Sequence, residues 1–129
     1  MTTQALTAAT FEQTVLTNDI VLVDFWASWC GPCVMFAPVF EAASAAHPDI
    51  IFGKVDTEAE QALSATAQIT SIPTLMGFRG GILVFSQPGA LPAASLEEVI
   101  ASIRALDMDD VRAKIAEKTQ APARATADN

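Results

Sequence analysis

The sequence predicts an α/β fold in which a central mixed β-sheet carries helices on both faces. Three observations carry this reading. Ile20 to Ala27 is apolar except for Asp24 and does not alternate, the pattern of a strand buried on both faces. Strand-like and helix-like segments then alternate, and crossover helices imply parallel strands. Gly80-Gly81 joins two later strand-like segments as a two-residue hairpin, which adds an antiparallel pair.

The elements follow in order. Thr10 to Leu16 reads as a short helix with Thr10 as its N-cap. Ile20 to Ala27 is the first strand. Pro32 to His47 reads as a helix, because Pro32 suits a first turn; Pro38 inside it predicts a kink. Ile50 to Val55 is a second buried strand and Glu58 to Ala67 a short helix. Thr74 to Arg79 and Ile82 to Ser86 form the hairpin. Ser95 opens another helix, with Glu98 completing a capping box.

Composition bounds the rest. The 129 residues are 51% hydrophobic and 17% charged, enough for one domain with its own core. The formal net charge is -8, which disfavours nucleic acid or an anionic membrane as partner. No apolar run approaches the ~18 residues of a membrane span. The first basic residue is Lys54, so neither a secretory nor a mitochondrial leader is expected, and the cytoplasm is the expected location. Residues 1–103 hold two bases and ten acids, whereas residues 104–129 hold five of each. That shift divides the chain into a body, 1–106, an added helix, 107–118, and an unordered tail, 119–129. In the added helix Asp107 is a cap, Met108, Val111 and Ile115 form an apolar stripe, and Asp110 pairs with Lys114.

The only cysteines are Cys30 and Cys33. A loop this short removes little entropy from the unfolded chain, so reactivity explains the pair better than stapling does. Residues at i and i+3 of a helix are neighbours, which is compatible with a disulfide. Cys30 stands where the helix start presents unpaired N–H groups and positive potential, so its thiolate is favoured. Gly31 lets another backbone approach, and Pro32 supplies a helix-ready φ. Cys33, one turn further in, is expected to be less accessible. The pattern is an attacking thiolate with a resolving thiol. As zinc ligands the pair would need two more, and the only histidine, His47, lies 14 residues beyond Cys33, about 21 Å along a helix. No metal is therefore expected. His47 fits a surface position at a helix C-terminus.

The segment Asp24-Phe-Trp-Ala-Ser-Trp-Cys-Gly-Pro-Cys33 resembles the active site of the thioredoxin family. Ala37-Pro38, Lys54-Val55-Asp56, Ser71-Ile72-Pro73-Thr74-Leu75, the Gly80-Gly81 hairpin and Gly89-Ala90-Leu91 fall where that family has its kinked helix, next strand, cis-proline loop, hairpin and final loop. The likeness covers about residues 6 to 106. It implies the thioredoxin fold and a protein dithiol–disulfide oxidoreductase that reduces client disulfides through Cys30 and Cys33, which bridge on oxidation. It implies no bound cofactor, with electrons from NADPH through a flavin thioredoxin reductase. The partners implied are that reductase and disulfide-containing client proteins, and the chain is expected to be a monomer.

The resemblance also assigns supporting roles. Asp24 would move the proton of Cys33, its pKa raised by burial. Lys54 would either tune Asp24 or merely satisfy its charge. The Ile72–Pro73 bond would be cis. Clients would dock around Trp29, Gly31, Pro32, Ile72, Pro73, Gly89 and Ala90. Trp26, Met35 and Phe36 read as packing residues. Two departures stand out: Val34 replaces a basic residue common in the family, and Gly77 weakens a strand. The rival reading is a non-catalytic interaction subunit that uses the added helix as its contact.

Overall fold

The computed structural model describes residues 3–128, with side chains described through Lys118. The elements are β1 (Thr3–Ala5), α1 (Phe11–Thr17), β2 (Ile20–Trp26), α2 (Gly31–Ala46), β3 (Ile51–Asp56), α3 (Gln61–Thr66), β4 (Thr74–Arg79), β5 (Ile82–Pro88), α4 (Ala93–Arg104) and α5 (Met108–Asp128). The sheet order is β1-β3-β2-β4-β5. β1, β3 and β2 run parallel, whereas β4 is antiparallel to both β2 and β5. This is the expected mixed sheet. β1 is an addition: three residues at the sheet edge carry too little pattern to be read from sequence.

Both faces of the sheet are covered, and β2 supplies both cores. Ile20 and Leu22 pack with Phe36, Phe40 and Ala43 of α2 and with Leu96, Ile100 and Ile103 of α4. Val21, Val23 and Phe25 point the other way, to a cluster that includes Val15 of α1, with Phe11 and Leu63 packed against it. Alternate side chains of a strand leave opposite faces, so one uninterrupted apolar run fills two cores.

Several caps differ from expectation. Thr10 precedes α1 but caps it with no side-chain bond; its hydroxyl instead accepts from the Thr7 N–H at 3.0 Å. Ser95 lies inside α4, which begins after Pro92, because that proline enters the helix from extended backbone. At the other end of α4, Arg79 Nη1 donates to the carbonyls of Ile103, Arg104 and Leu106 at 2.8, 2.9 and 3.0 Å. A β4 guanidinium thus satisfies helix-end acceptors that the helix leaves open.

Gly80 and Gly81 both take positive φ, as a type I′ hairpin turn demands. Gly77 has a packing reason: a Cβ there would sit 2.7 Å from Ile103 Cδ1 and 3.3 Å from Leu22 Cδ2. Its missing side chain lets α4 settle onto the sheet.

Asp107 caps α5, its Oδ1 accepting from the N–H groups of Asp109 and Asp110 at 3.1 and 3.2 Å, and Lys114 pairs with Asp110 at 3.1 Å. Val111 and Ile115 share a shallow groove with Leu106, Ile82, Leu83 and Val84. The backbone of α5 continues beyond the Lys118 end that the sequence predicts. The tail expected over 119–129 lies outside the residues whose side chains are described.

Removing Arg79 should loosen the end of α4. Bonds to charged donors contribute ~1.5–3 kcal/mol. Arg79→Met should lower the melting temperature by about 5–10 °C in calorimetry, whereas Arg112→Met, an exposed neighbour, should change it by under about 2 °C. Equal melting temperatures for Arg79→Met and the parent would remove the capping role.

Candidate active site

Three chain segments meet at one end of the sheet: the end of β2, the start of α2, and the loop before β4. Cys30 is the N-cap of α2, and its Sγ accepts from the Cys33 N–H at 3.2 Å. The two cysteines form a disulfide, with Cα atoms 5.2 Å apart, and Pro32 occupies the first helical turn. Cys30 Sγ also lies 3.6 Å from the Ile72 carbonyl oxygen. The bridged sulfur has no proton to give, so this is a close approach and not a hydrogen bond.

In this bridged form both cysteines are buried, Cys30 at 5% exposure and Cys33 at 3%, so the difference in accessibility is small. What separates the two sulfurs is place: the Cys30 sulfur accepts a helix-start N–H and lies 3.6 Å from the Ile72 carbonyl oxygen. Ala27 lies beneath the pair, and Trp26 and Ile72 pack against it.

The Ile72–Pro73 peptide is cis, and the Gly89 N–H donates to the Pro73 carbonyl at 2.8 Å. This bond holds the loop after β5 beside the loop before β4, so Ile72, Gly89 and Ala90 belong to one rim. Gly89 takes φ +100°, and nothing lies within 4 Å of where its Cβ would be. Trp29 is 69% exposed, Gly31 and Pro32 are exposed, and Pro73 is buried.

Phe36 faces the core at 2% exposure, but Met35 does not; it is 74% exposed. Helix phase explains the correction. Cys33, Phe36 and Phe40 share the inward face at spacings of three and four, and Met35 falls between them on the outside.

Asp24 is fully buried, and neither carboxylate oxygen has a hydrogen-bond partner. Two residues before Trp26 on β2, it points to the same face of the sheet, the α2 side. Burial raises its pKa to about 6, while the nearby Lys54 ammonium acts in the opposite sense. Lys54 is the parallel-sheet neighbour of Asp24, and its Nζ lies 5.1 Å above the Trp26 ring. It therefore acts on Asp24 through space and does not satisfy it by a bond.

His47 is the C-cap of α2, as expected at a helix end, but it is no simple surface residue. Its Nε2 lies 2.8 Å from Glu97 and its Nδ1 3.0 Å from Arg104, which grips Asp49 through both carboxylate oxygens. Among the described residues, no cluster of His, Cys, Asp or Glu could hold a metal ion.

The thioredoxin family model matches residues 2–102. The chain belongs to the thioredoxin family. A Streptomyces coelicolor relative carried under a thioredoxin 2 name is 56% identical over 116 residues, covering 90% of this chain and 87% of that protein. The thioredoxin of Porphyra purpurea is 42% identical over 102 residues, 78% of this chain and 95% of its own length. Among solved structures, a mutant thioredoxin from Halobacterium salinarum superposes with a TM-score of 0.74 at 31% identity, covering 81% of this chain and 92% of that one. A chain from a study of thiol resolution in a yeast mitochondrial 1-Cys peroxiredoxin via glutathione/thioredoxin systems gives a TM-score of 0.72 at 30% identity, with coverage of 78% and 94%. As a thioredoxin with the Cys30–Cys33 pair in place, the protein is a dithiol–disulfide oxidoreductase with protein-disulfide reductase activity.

The raised pKa of Asp24 fixes a sign. The folded state holds this proton more tightly than the unfolded chain does, whose Asp pKa is about 3.9. Stability is therefore unaffected below about pH 4, falls as pH rises from about 4 to about 6, and levels off above that, where both states are ionised. The stability difference between Asp24→Asn and the parent should shift in the variant's favour by about 2–3 kcal/mol between pH 4 and pH 8 in urea titrations. A difference that stays constant with pH would mean the carboxyl ionises as in water.

Proposed function

We propose that Cys30 is the attacking sulfur, Cys33 the resolving sulfur and Asp24 the acceptor of the Cys33 proton. The observation that carries this is the capping position of Cys30, its sulfur met by the Cys33 N–H and placed beside the Ile72 carbonyl. Positive potential at the helix start favours the Cys30 thiolate. That thiolate attacks one sulfur of a client disulfide. The client S–S bond breaks, and the departing sulfur leaves as a thiolate that takes a proton from water. Cys33 then gives its proton to Asp24 and attacks Cys30. The mixed disulfide breaks, the client's second sulfur departs, and the Cys30–Cys33 bridge holds the oxidation. Two electrons pass to the client, with no bound cofactor.

Trp29, Gly31, Pro32, Ile72, Pro73, Gly89 and Ala90 would form the docking rim, and Lys54 would moderate Asp24. Return to the dithiol would draw on NADPH through a flavin thioredoxin reductase. The cytoplasm, where glutathione and thioredoxin systems keep thiols reduced, suits such work. The likeness to a chain from the peroxiredoxin study supports oxidised thiol peroxidases as one client class. The body, 1–106, holds every residue with an assigned role, so α5 adds stability and not chemistry.

Two measurements test these roles. Brief alkylation of the reduced protein at pH 7, read by peptide mass spectrometry, should label Cys30 at least tenfold faster than Cys33, and Cys33→Ser should accumulate mixed disulfides. Faster labelling of Cys33 would reverse the assignment. Truncation after Leu106 should lower the melting temperature by a few degrees and keep insulin reduction within about twofold. A folded but inactive truncation would show that α5 helps to build the client site.

A further inference from the structure

The chain is acidic overall, but the exposed segments that border the redox pair carry no charge of their own. No charged residue occurs from Phe25 to Phe40, from Gln61 to Phe78, or from Gly80 to Leu96. These three stretches supply the start of α2, the Ile72–Pro73 loop and the Gly89 loop. In a chain of net charge -8, these segments are uncharged, and Glu58 borders them only where it shares a groove with Ile72.

Within that rim the outward face of α2 carries apolar side chains. Val34 is 60% exposed and Met35 74%. Val34 is one turn from Cys30, and its N–H donates to the Cys30 carbonyl at 3.1 Å. One helical turn rises about 5.4 Å. An extended chain advances ~3.3 Å per residue, so a client strand that leaves Cys30 along α2 would bring the side chain two residues from its cysteine over this patch. An exposed Val and Met there lose unfavourable hydration only when something apolar covers them.

We infer that Val34 and Met35 are specificity-determining residues: they select client segments with a bulky apolar side chain two residues from the reactive cystine. The patch is continuous with the redox site, since it lies on the helix that Cys30 caps. The inference rests on Cys30 as the attacking sulfur. Adaptable Met35 lets the selection be for apolar bulk and not for one shape. A neutral, apolar surface also makes this selection insensitive to salt, unlike recognition through a basic residue at position 34.

Two neutral cyclic cystine peptides test this, identical except for leucine or serine two residues from each cysteine. Both lack net charge, so the acidic field acts on them equally. The reduced protein is mixed with each, and the second-order rate constant is read from tryptophan fluorescence. The parent should reduce the leucine peptide about tenfold faster than the serine peptide, at both 20 mM and 500 mM salt. The double variant Val34→Ser/Met35→Ser should bring the ratio to about twofold, while Val34→Ile should keep it near tenfold. Leu16→Ser, at an exposed apolar residue on α1, should not change the ratio. A change in Cys30 reactivity would scale both rates together and cancel. Equal ratios in the parent and the double variant would overturn the inference, whereas failure of the parent to reduce either peptide would count against the Cys30 assignment instead.

Discussion

The molecule depends on β2. This strand has a hydrogen-bonded neighbour on each side and a core on each face. Everything reactive is referred to it. Its end launches the turn that carries Trp29 and Cys30, and its interior holds Asp24 away from water. The orphan carboxyl is tolerated because many apolar contacts along the same strand offset it.

α2 is fixed at both ends by different physics. At its start, Cys30 is held by packing against Ala27 and Ile72 and by its own capping bond. At its finish, His47, Glu97, Arg104 and Asp49 form a charged network that ties the helix to α4. The Arg104 guanidinium bonded to Asp49 brings that carboxyl down to about 2. The pair is open to solvent, so its role is orientation more than stability. Charge thus gathers at the end of α2 remote from the sulfurs, and no residue from Gly31 to Phe40 is charged.

Much of this was legible in the sequence because it is local. A non-alternating apolar run, a double-glycine turn, and two cysteines at a helix start each declare themselves within a few residues. The family resemblance added what locality cannot supply, above all the cis bond before Pro73. What local pattern leaves out or gets wrong depends on distant residues or on where an element begins. Arg79 is the last residue of a strand, as its segment reads, but its bonds to the carbonyls of Ile103, Arg104 and Leu106 have no local signal. Gly77 looks like a weak point until Ile103 occupies the space it leaves. Ser95 and Glu98 satisfy a capping pattern, but Pro92 starts the helix earlier. Met35 required the phase of α2, which depends on where the helix begins.

The last helix has a consequence for the sheet. β5 is an edge strand, and its outer row of N–H and C=O groups would otherwise stand ready to pair with another chain. Ile82, Leu83 and Val84 are consecutive, so their side chains alternate between faces, yet all three border the groove that Val111 and Ile115 share. A helix in contact with successive residues of a strand runs along its rim. The first turns of α5 therefore flank the start of this open edge, and what looks like an appendage borders the one strand of the pair that has no partner on its outer side.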